Sequence, residues 1–513
     1  MATVALKSAE GKWIMSSAIL ASAMAFIDST ALNVVLPSLQ KSLNATGIDL
    51  FWLLNAYLLM LASLILIGGS LGDKLGRKKI FMVGIFIFII GSAACGFAPS
   101  VFFLILFRIV QGIGGALMIP GSLSLISSSI NENERGKAIG TWSAITTVVT
   151  MGGPVLGGVL GDAGLWRYIF FINVPIGLAA LLILWFKVNE SRNEDADKAI
   201  DISGAIAIAL SLASLTFGFL RIPAVGLHSP QVYITLAAGL ILLIVFLVIE
   251  KKCKHPMMPL TLFSNLTFTG VNLLTFFLYA GLGAGMLFLS LNLVQAQGYS
   301  QLQSGLTFLP FTVLMITIAR FAGGIADKHG PRLLLIVGPA TAGAGLLILS
   351  LVKQTNGPSE YWTTFFPGIL IFGLGMSLTV APLTTAVMGS VSDHLSGTAS
   401  GVNNALTRIS NVFANAIFGA LAVLFFAGAL QEQIKNVNLD TKAKQSVMAE
   451  AVNLGNAKVP SNIDPKDKVT VERSYHQSFI HAYSSVMKIS AGLGFLGALM
   501  GFFFIRNQAV KKQ

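Results

Sequence analysis

The segment Gly69-Ser-Leu-Gly-Asp73-Lys-Leu-Gly76-Arg77-Lys78-Lys79 returns as Gly323-Gly-Ile-Ala-Asp327-Lys-His-Gly330-Pro-Arg332, with Gly, Asp and Gly each displaced by 254 residues. Each copy is a short charged interruption between two long apolar runs. Its glycines permit a tight turn. Its Asp can cap a helix or pair with a base, and its Arg and Lys residues hold the turn at a polar surface. One copy alone also reads as a charged turn that merely anchors topology; two copies at matching places point to a duplicated unit.

Outward from this repeat, apolar runs long enough to cross a bilayer occupy 13–36, 51–71, 80–98, 101–125, 138–160, 168–187, 202–221, 232–250, 266–294, 303–326, 333–352, 364–388, 399–428 and 476–506. Glycine is frequent inside them, as where membrane helices pack closely. Six spans of about 20 apolar residues fill roughly 200 residues or fewer, so the offset leaves room for the spans at 202–250 as an insertion. The expected fold is all-α: a six-helix bundle at 1–187, two inserted transmembrane helices with their linkers at 188–265, and a second six-helix bundle at 266–513 with a polar loop at 430–475. Parallel halves of this kind place a transport site between them near the midplane.

Composition agrees. Of 513 residues, 54% are hydrophobic and 11% charged, with a mean hydropathy of +0.77; a soluble domain is about 25% charged. Barrel strands alternate over roughly ten residues, whereas these runs are continuous, which selects helices. The net charge of +12 is spread over short loops and forms no basic face, so nucleic acid is not an expected partner. Cys95 and Cys253 are too few for a disulfide framework. No Walker loop, metal-ligand spacing or clustered Ser/His/Asp set is present, so neither an ATP-driven pump nor an enzyme is expected, and no cofactor beyond a proton gradient.

Orientation follows from Lys and Arg. Nineteen of them (Lys7, Lys12, Lys74, Arg77 to Lys79, Arg135, Lys137, Lys187, Arg192, Lys198, Lys251, Lys252, Lys254, Lys328, Arg332, Arg506, Lys511 and Lys512) fall on one side, against Lys41, Arg167, Arg221 and Lys353 on the other. The first side is expected to be cytoplasmic, with both termini there, in a multi-pass protein of the plasma (inner) membrane. The run Trp13 to Leu36 is longer than the ~7–15-residue core of a signal peptide and reads as an uncleaved first span. The loop 430–475 then lies outside, where its Asn, Lys and Asp content suggests a mobile, partly helical segment. Whether a periplasmic adaptor docks there is left open by the sequence.

The charged loop, Gly-x-x-x-Asp-x-x-Gly-Arg-Lys, resembles the loop signature of the major facilitator superfamily. That resemblance implies a gating latch made of Gly69, Asp73, Gly76 and Arg77, repeated at Asp327, Gly330 and Arg332, with Asp73 facing the start of span thirteen and Arg408 its partner. Arg108-x-x-Gln111-Gly112-x-Gly114 is similar to the family's fourth-helix motif, whose Arg is tied to proton transfer. Gly152-Gly153-Pro154-Val-Leu-Gly157-Gly158 resembles the fifth-helix motif of antiporters; it also reads as a kink with close packing. Val149 stands where the family has a further Gly. Trp166-Arg-Tyr-Ile-Phe-Phe-Ile-Asn173-Val-Pro175-Ile-Gly177 and Phe26-Ile-Asp28-Ser-Thr30-Ala-Leu-Asn33-Val-Val-Leu-Pro37 look like the 14-span drug:proton antiporter branch (EmrB/QacA type).

Asp28 is the acid clearly inside a span, ~13 Å along the helix from Pro37 at ~1.5 Å per residue. A carboxylate that deep is neutral, paired or in a wet cavity. The expected coupling pair is Asp28 and Arg108, with a hydrogen-bonded structural Asp28 and a snorkelling Arg108 as the plainer readings. Candidate substrate contacts are Phe26, Trp52, Tyr57, Gln111, Trp142 and Asn403, with Lys488, seven residues after His481, as a base for an anionic substrate or a partner for Asp28. The expected function is proton-coupled efflux of drugs or other small molecules by alternating access. Proton-linked transport of one metabolite or organic anion is the first alternative. A receptor or scaffold is the second, though it gains nothing from such costly intramembrane charges.

Overall fold

The computed structural model describes residues 4–190, 201–254, 256–391, 395–435, 437 and 439–506, with side chains at all of these except 73, 132, 136, 144, 147, 151, 327, 396 and 397. Seventeen α-helices follow in order: α1 (Ala9–Leu43), α2 (Gly47–Leu75), α3 (Arg77–Phe97), α4 (Val101–Ser129), α5 (Glu132–Asp162), α6 (Tyr168–Phe171), α7 (Asn173–Lys187), α8 (Ile202–Val225), α9 (Pro230–Lys252), α10 (Leu266–Gln295), α11 (Gln301–Thr307), α12 (Leu309–His329), α13 (Arg332–Ser350), α14 (Phe365–Gly389), α15 (Ser396–Gln433), α16 (Thr441–Ala449) and α17 (Pro465–Phe504). The pairs α6–α7 and α11–α12 each make one broken span, and α16 lies in the loop, so fourteen helical segments are long and apolar enough to cross a membrane. No strand occurs among the described residues.

Local chemistry sets the ends. Ser8 caps α1 through Gly11 N–H, and Thr46 with Asp49 forms a reciprocal capping box at α2. The two copies of the charged repeat turn alike: Gly76 (φ 112°) and Gly330 (φ 85°) both take the left-handed region that favours glycine.

Helices α1 to α7 form one six-span bundle and α10 to α17 the other. They meet along two seams. One is the antiparallel pair α2–α15, where Phe51 lies against Gly419 and Leu66 against Gly401. The other joins α5 to α11. The inserted hairpin α8–α9 is zipped by small residues, Gly218 under Leu236 and Gly239 under Leu215, with Ser211 Oγ donating to Gly239 O at 2.8 Å. Its α8 packs on both α2 and α15, through Ala207, Ile208 and Leu212 against Leu59 and Val412, so the insertion braces the first seam. Tyr233, Ile234, Ile241 and Ile244 on α9 face outward, the arrangement lipid requires.

The loop 430–475 is partly helical, as its composition suggests. Its α16 and the 3-10 turn Glu450–Asn456 sit on the bundles, with Val447 and Leu454 buried, and α17 begins at Pro465, well before the apolar run. Below, the end of the molecule carrying this loop is called the loop end, and the opposite end the lysine-rich end.

Close backbone contact is the rule inside each bundle. A Cβ on Gly375 would stand 2.2 Å from Ala342 N, whereas one on Gly428 would meet nothing within 4 Å. Gly375→Ala is expected to lower stability by about 1–3 kcal/mol and Gly428→Ala to leave it unchanged or slightly raised, as thermal unfolding of the purified protein will read.

Candidate coupling and binding site

Asp28 on α1 and Arg108 on α4 are both buried, at 0% and 1% exposure. Arg108 Nη1 donates to Asp28 Oδ2 in a direct ion pair and to Gln111 Oε1 at 2.8 Å. Gln111 Nε2 closes the ring by donating to Asp28 Oδ1 at 2.9 Å. The guanidinium also lies over the Tyr57 ring, 4.3 Å from its centre, and Phe88 meets Tyr57 edge-on. Arg108 therefore turns inward and does not snorkel.

The fourth-helix sequence explains this local geometry. Residues three apart share a helix face, so Arg108 and Gln111 reach Asp28 together. The glycines serve the other faces: a Cβ on Gly112 would stand 2.6 Å from Tyr57 O, and one on Gly114 2.4 Å from Phe88 N. α4 can thus approach α2 and α3 closely enough to bring the ring together. Charges this deep are costly to desolvate, and complementary hydrogen bonds offset that cost.

The other expected contacts fall at several places in the structure. Tyr57 and Gln111 belong to the Asp28–Arg108 ring. Trp52 packs toward Phe217 of the inserted helix α8, ring centres 6.1 Å apart. Trp142 donates its indole N–H to Ser22 Oγ at 3.0 Å, and Phe26 is half-buried on α1. Asn403 donates to Asn272 Oδ1 (3.0 Å) and Thr275 Oγ1 (2.8 Å), tying α15 to α10. Lys488 is exposed on α17 in a groove with Ser350, Lys353, Gln433 and His481, remote from Asp28, because its face of α17 continues into exposed Leu496, Leu499 and Phe503.

The seam between the halves also places Arg408. The α2–α15 register, Leu66 at Gly401 and Phe51 at Gly419, sets Arg408 opposite the middle of α2. That is about a dozen residues, ~18 Å, from the level of residue 73. No carboxylate among the described residues pairs with Arg408. The side chains of Asp73 and Asp327 lie outside the described residues. At this turn Glu190 instead stands out: its carboxylate accepts Lys78 N–H at 2.9 Å and Lys79 N–H at 3.0 Å, capping α3. In the second copy Arg332 donates to Phe502 O at 3.1 Å.

The fifth-helix glycines divide between two neighbours. Cβ atoms on Gly153 and Gly157 would strike Thr30 Oγ1 (1.9 Å) and Ala31 O (2.4 Å) of α1. A Cβ on Gly158 would strike Leu302 Cα (2.4 Å) of the other bundle, where Gly305 in turn presses on Pro154 O. Asp162, which the sequence marks only as a helix end, accepts Gln301 N–H at 2.7 Å and Leu302 N–H at 3.0 Å across the seam. Gln40 joins Gln295 (3.0 Å) and Asn453 O (3.3 Å), and Gly47 lies under Val452 and Leu454 of the loop. The loop end is therefore shut. Open space where a side chain would be occurs toward both ends, at Gly140, Gly152, Gly324 and Gly389 near the lysine-rich end and at Gly164, Gly226 and Gly298 near the loop end. No group of three or more metal-ligating side chains converges among the described residues.

Residues 18–415 match the family model described as Major Facilitator Superfamily. The chain is 28% identical over 484 residues to the tetracenomycin C resistance and export protein of Streptomyces glaucescens, covering 94% of this chain and 89% of that one. It is 31% identical over 435 residues to the multidrug resistance protein Stp of Mycobacterium tuberculosis (strain CDC 1551 / Oshkosh), covering 84% and 79%. Its fold resembles the crystal structure of a bacterial homolog to the human lysosomal transporter Spinster in an inward-facing, unoccupied conformation, with TM-score 0.66, 19% identity, and 98% and 100% of the two chains covered.

Two outcomes are expected. Arg108→Ala strands Asp28 and costs about 3–5 kcal/mol, while Asp28→Asn/Arg108→Gln recovers most of it; unfolding midpoints of the purified variants test this. Gly158→Leu wedges the α5–α11 seam apart. A cysteine placed at Ser290, whose hydroxyl here reaches Asn33 O at 3.4 Å, then reacts with a membrane-impermeant maleimide from the loop end, and without the wedge it stays protected.

Proposed function

The chain belongs to the major facilitator superfamily, and from that premise we propose that it is a proton-coupled antiporter that exports drug-like small molecules by alternating access. The observation that carries this reading is the Asp28–Arg108–Gln111 ring, an ionisable pair held inside the span region. The fifth-helix glycine motif supports antiport, and the resistance and export functions named for the relatives support small-molecule efflux.

In this reading the lysine-rich end is cytoplasmic, with both termini on that side, and the protein lies in the plasma (inner) membrane. Residues 1–187 and 266–513 act as the rocking halves, with 188–265 bridging them. Asp28 gains a proton when the cavity faces outward and loses it when the cavity faces inward. A neutral Asp28 releases Arg108 toward Gln111 and Tyr57. Substrate entering from the cytoplasm favours proton loss, and reprotonation outside favours substrate release. Each transferred charge gains ~2.3 kcal/mol per 100 mV of membrane potential. Outward opening needs the Asp162–α11 cap and the loop 450–456 to unseat.

A second reading, transport of an organic anion, is favoured by Arg408. With Asp28 ionised, Arg108 and Arg408 leave the centre of the protein one positive charge in excess. Proteoliposomes with an imposed pH gradient and a panel of cationic, neutral and anionic compounds test both. Wild type is expected to move substrate against the proton gradient. Asp28→Asn keeps exchange of substrate for substrate but loses the response to ΔpH. Arg408→Gln weakens anionic compounds alone if the second reading holds. Transport indifferent to ΔpH and voltage removes the coupling proposal.

A further inference from the structure

On α17, residues 477, 481, 484 and 488 share one stripe at helical spacing. It begins among the polar groups of the loop end and runs on through Gly492, Phe495, Leu496 and Leu499, the last three exposed. Ser484 Oγ donates to Ser350 O at 2.7 Å, and Ser350 is the last residue of α13, so this contact marks where the neighbouring span ends. Lys488 stands one helical turn deeper, ~6 Å. Its ammonium is thus on a lipid-facing surface just inside the hydrocarbon boundary, where a lysine costs about 2.5–3.5 kcal/mol at full depth and less when its stem reaches the interface.

Around it lies a groove of about 570 Å3 between the ends of α13, α15 and α17, walled by Lys353, Gln433, Gln477, His481, Ser484 and Lys488 among others. No carboxylate lines it, and no described acid pairs with Lys488. Below the groove the same stripe is apolar. A cation at the boundary, polar donors above it and an apolar bed beneath match one ligand class in charge and shape: a phospholipid with an anionic headgroup, its phosphate on Lys488 and its chains along Phe495, Leu496 and Leu499. We propose that this groove is a binding site for an anionic phospholipid of the leaflet at the loop end. The site is separate from the Asp28 ring and does not depend on what the protein carries.

Native mass spectrometry of the purified full chain, titrated with phosphatidylglycerol or phosphatidylcholine, tests it. Wild type is expected to retain phosphatidylglycerol in preference. Lys488→Gln loses that preference roughly tenfold, the scale of one charged hydrogen bond, while Lys488→Arg keeps it. Lys41→Gln, an exposed lysine at the same end on the other bundle, changes nothing, and all variants elute as folded protein. An unchanged headgroup preference in Lys488→Gln overturns the proposal. So does displacement of the lipid by millimolar inorganic phosphate, which would assign the groove to a free anion.

Discussion

The ion pair between Asp28 and Arg108 constrains much of what surrounds it. A carboxylate and a guanidinium inside hydrocarbon must neutralise each other and fill their remaining hydrogen bonds, or the helices that carry them do not stay in the membrane. Gln111 supplies one further contact to each partner and the Tyr57 ring covers the guanidinium face, while Arg108 Nε has no protein partner. This needs α1, α2 and α4 to meet closely at one level. Gly112 and Gly114 satisfy that demand, since any side chain there would enter the backbone of α2 or α3. The glycines of the fourth span and its two polar residues are one device.

The fifth helix carries the same economy to the boundary between halves. One face, Gly153 and Gly157, seats it on α1. The adjoining face, Gly158 with Pro154 and Asp162, seats it on α11 of the other half. The first contact lies within a bundle and the second crosses the seam. A motif that reads in sequence as a single kink therefore contains an inner face and a seam face one residue apart. Thr30 Oγ1, bonded to Thr150 O at 3.0 Å, links the inner face to the turn of α1 that bears Asp28.

How much of this was legible in the sequence follows the range of the interactions. The fourteen spans and the duplicated turn rest on local hydrophobicity and on glycine geometry, and both survive in the structure down to matching positive φ at Gly76 and Gly330. Arg108, Gln111 and Asp28 were visible as costly polar residues in apolar runs, although their closure into one ring needs the packing of three helices. What sequence could not supply is rotation about each helix axis and register between halves. Lys488 and Trp52 look like cavity residues by depth, yet one lies in an exposed groove at the loop end and the other against an inserted helix. Arg408 looks like a latch partner by its place near the start of a span, while register sets it opposite the middle of α2. Asp162 and Glu190 sit at helix ends where acids are common, and only the fold reveals that each caps a different helix. The loop 430–475 reads as mobile because its composition is polar; Val447 and Leu454 are too sparse a signal to announce its seat.

The closed loop end is polar as well as apolar. Both side-chain atoms of Asn55 and of Asn292 are buried without a protein partner, as are Gln295 Oε1, Gln301 Oε1 and Tyr299 Oη among the described groups. These groups lie on α2, α10 and α11 or the turn between α10 and α11, on or near the seam between the halves. Against this stand the Asp162 cap, the Gln40–Gln295 contact and the seating of residues 450–456. In the proposed cycle a gate closed partly by polar contacts parts more readily than one closed by apolar packing alone, because water can take up the freed groups.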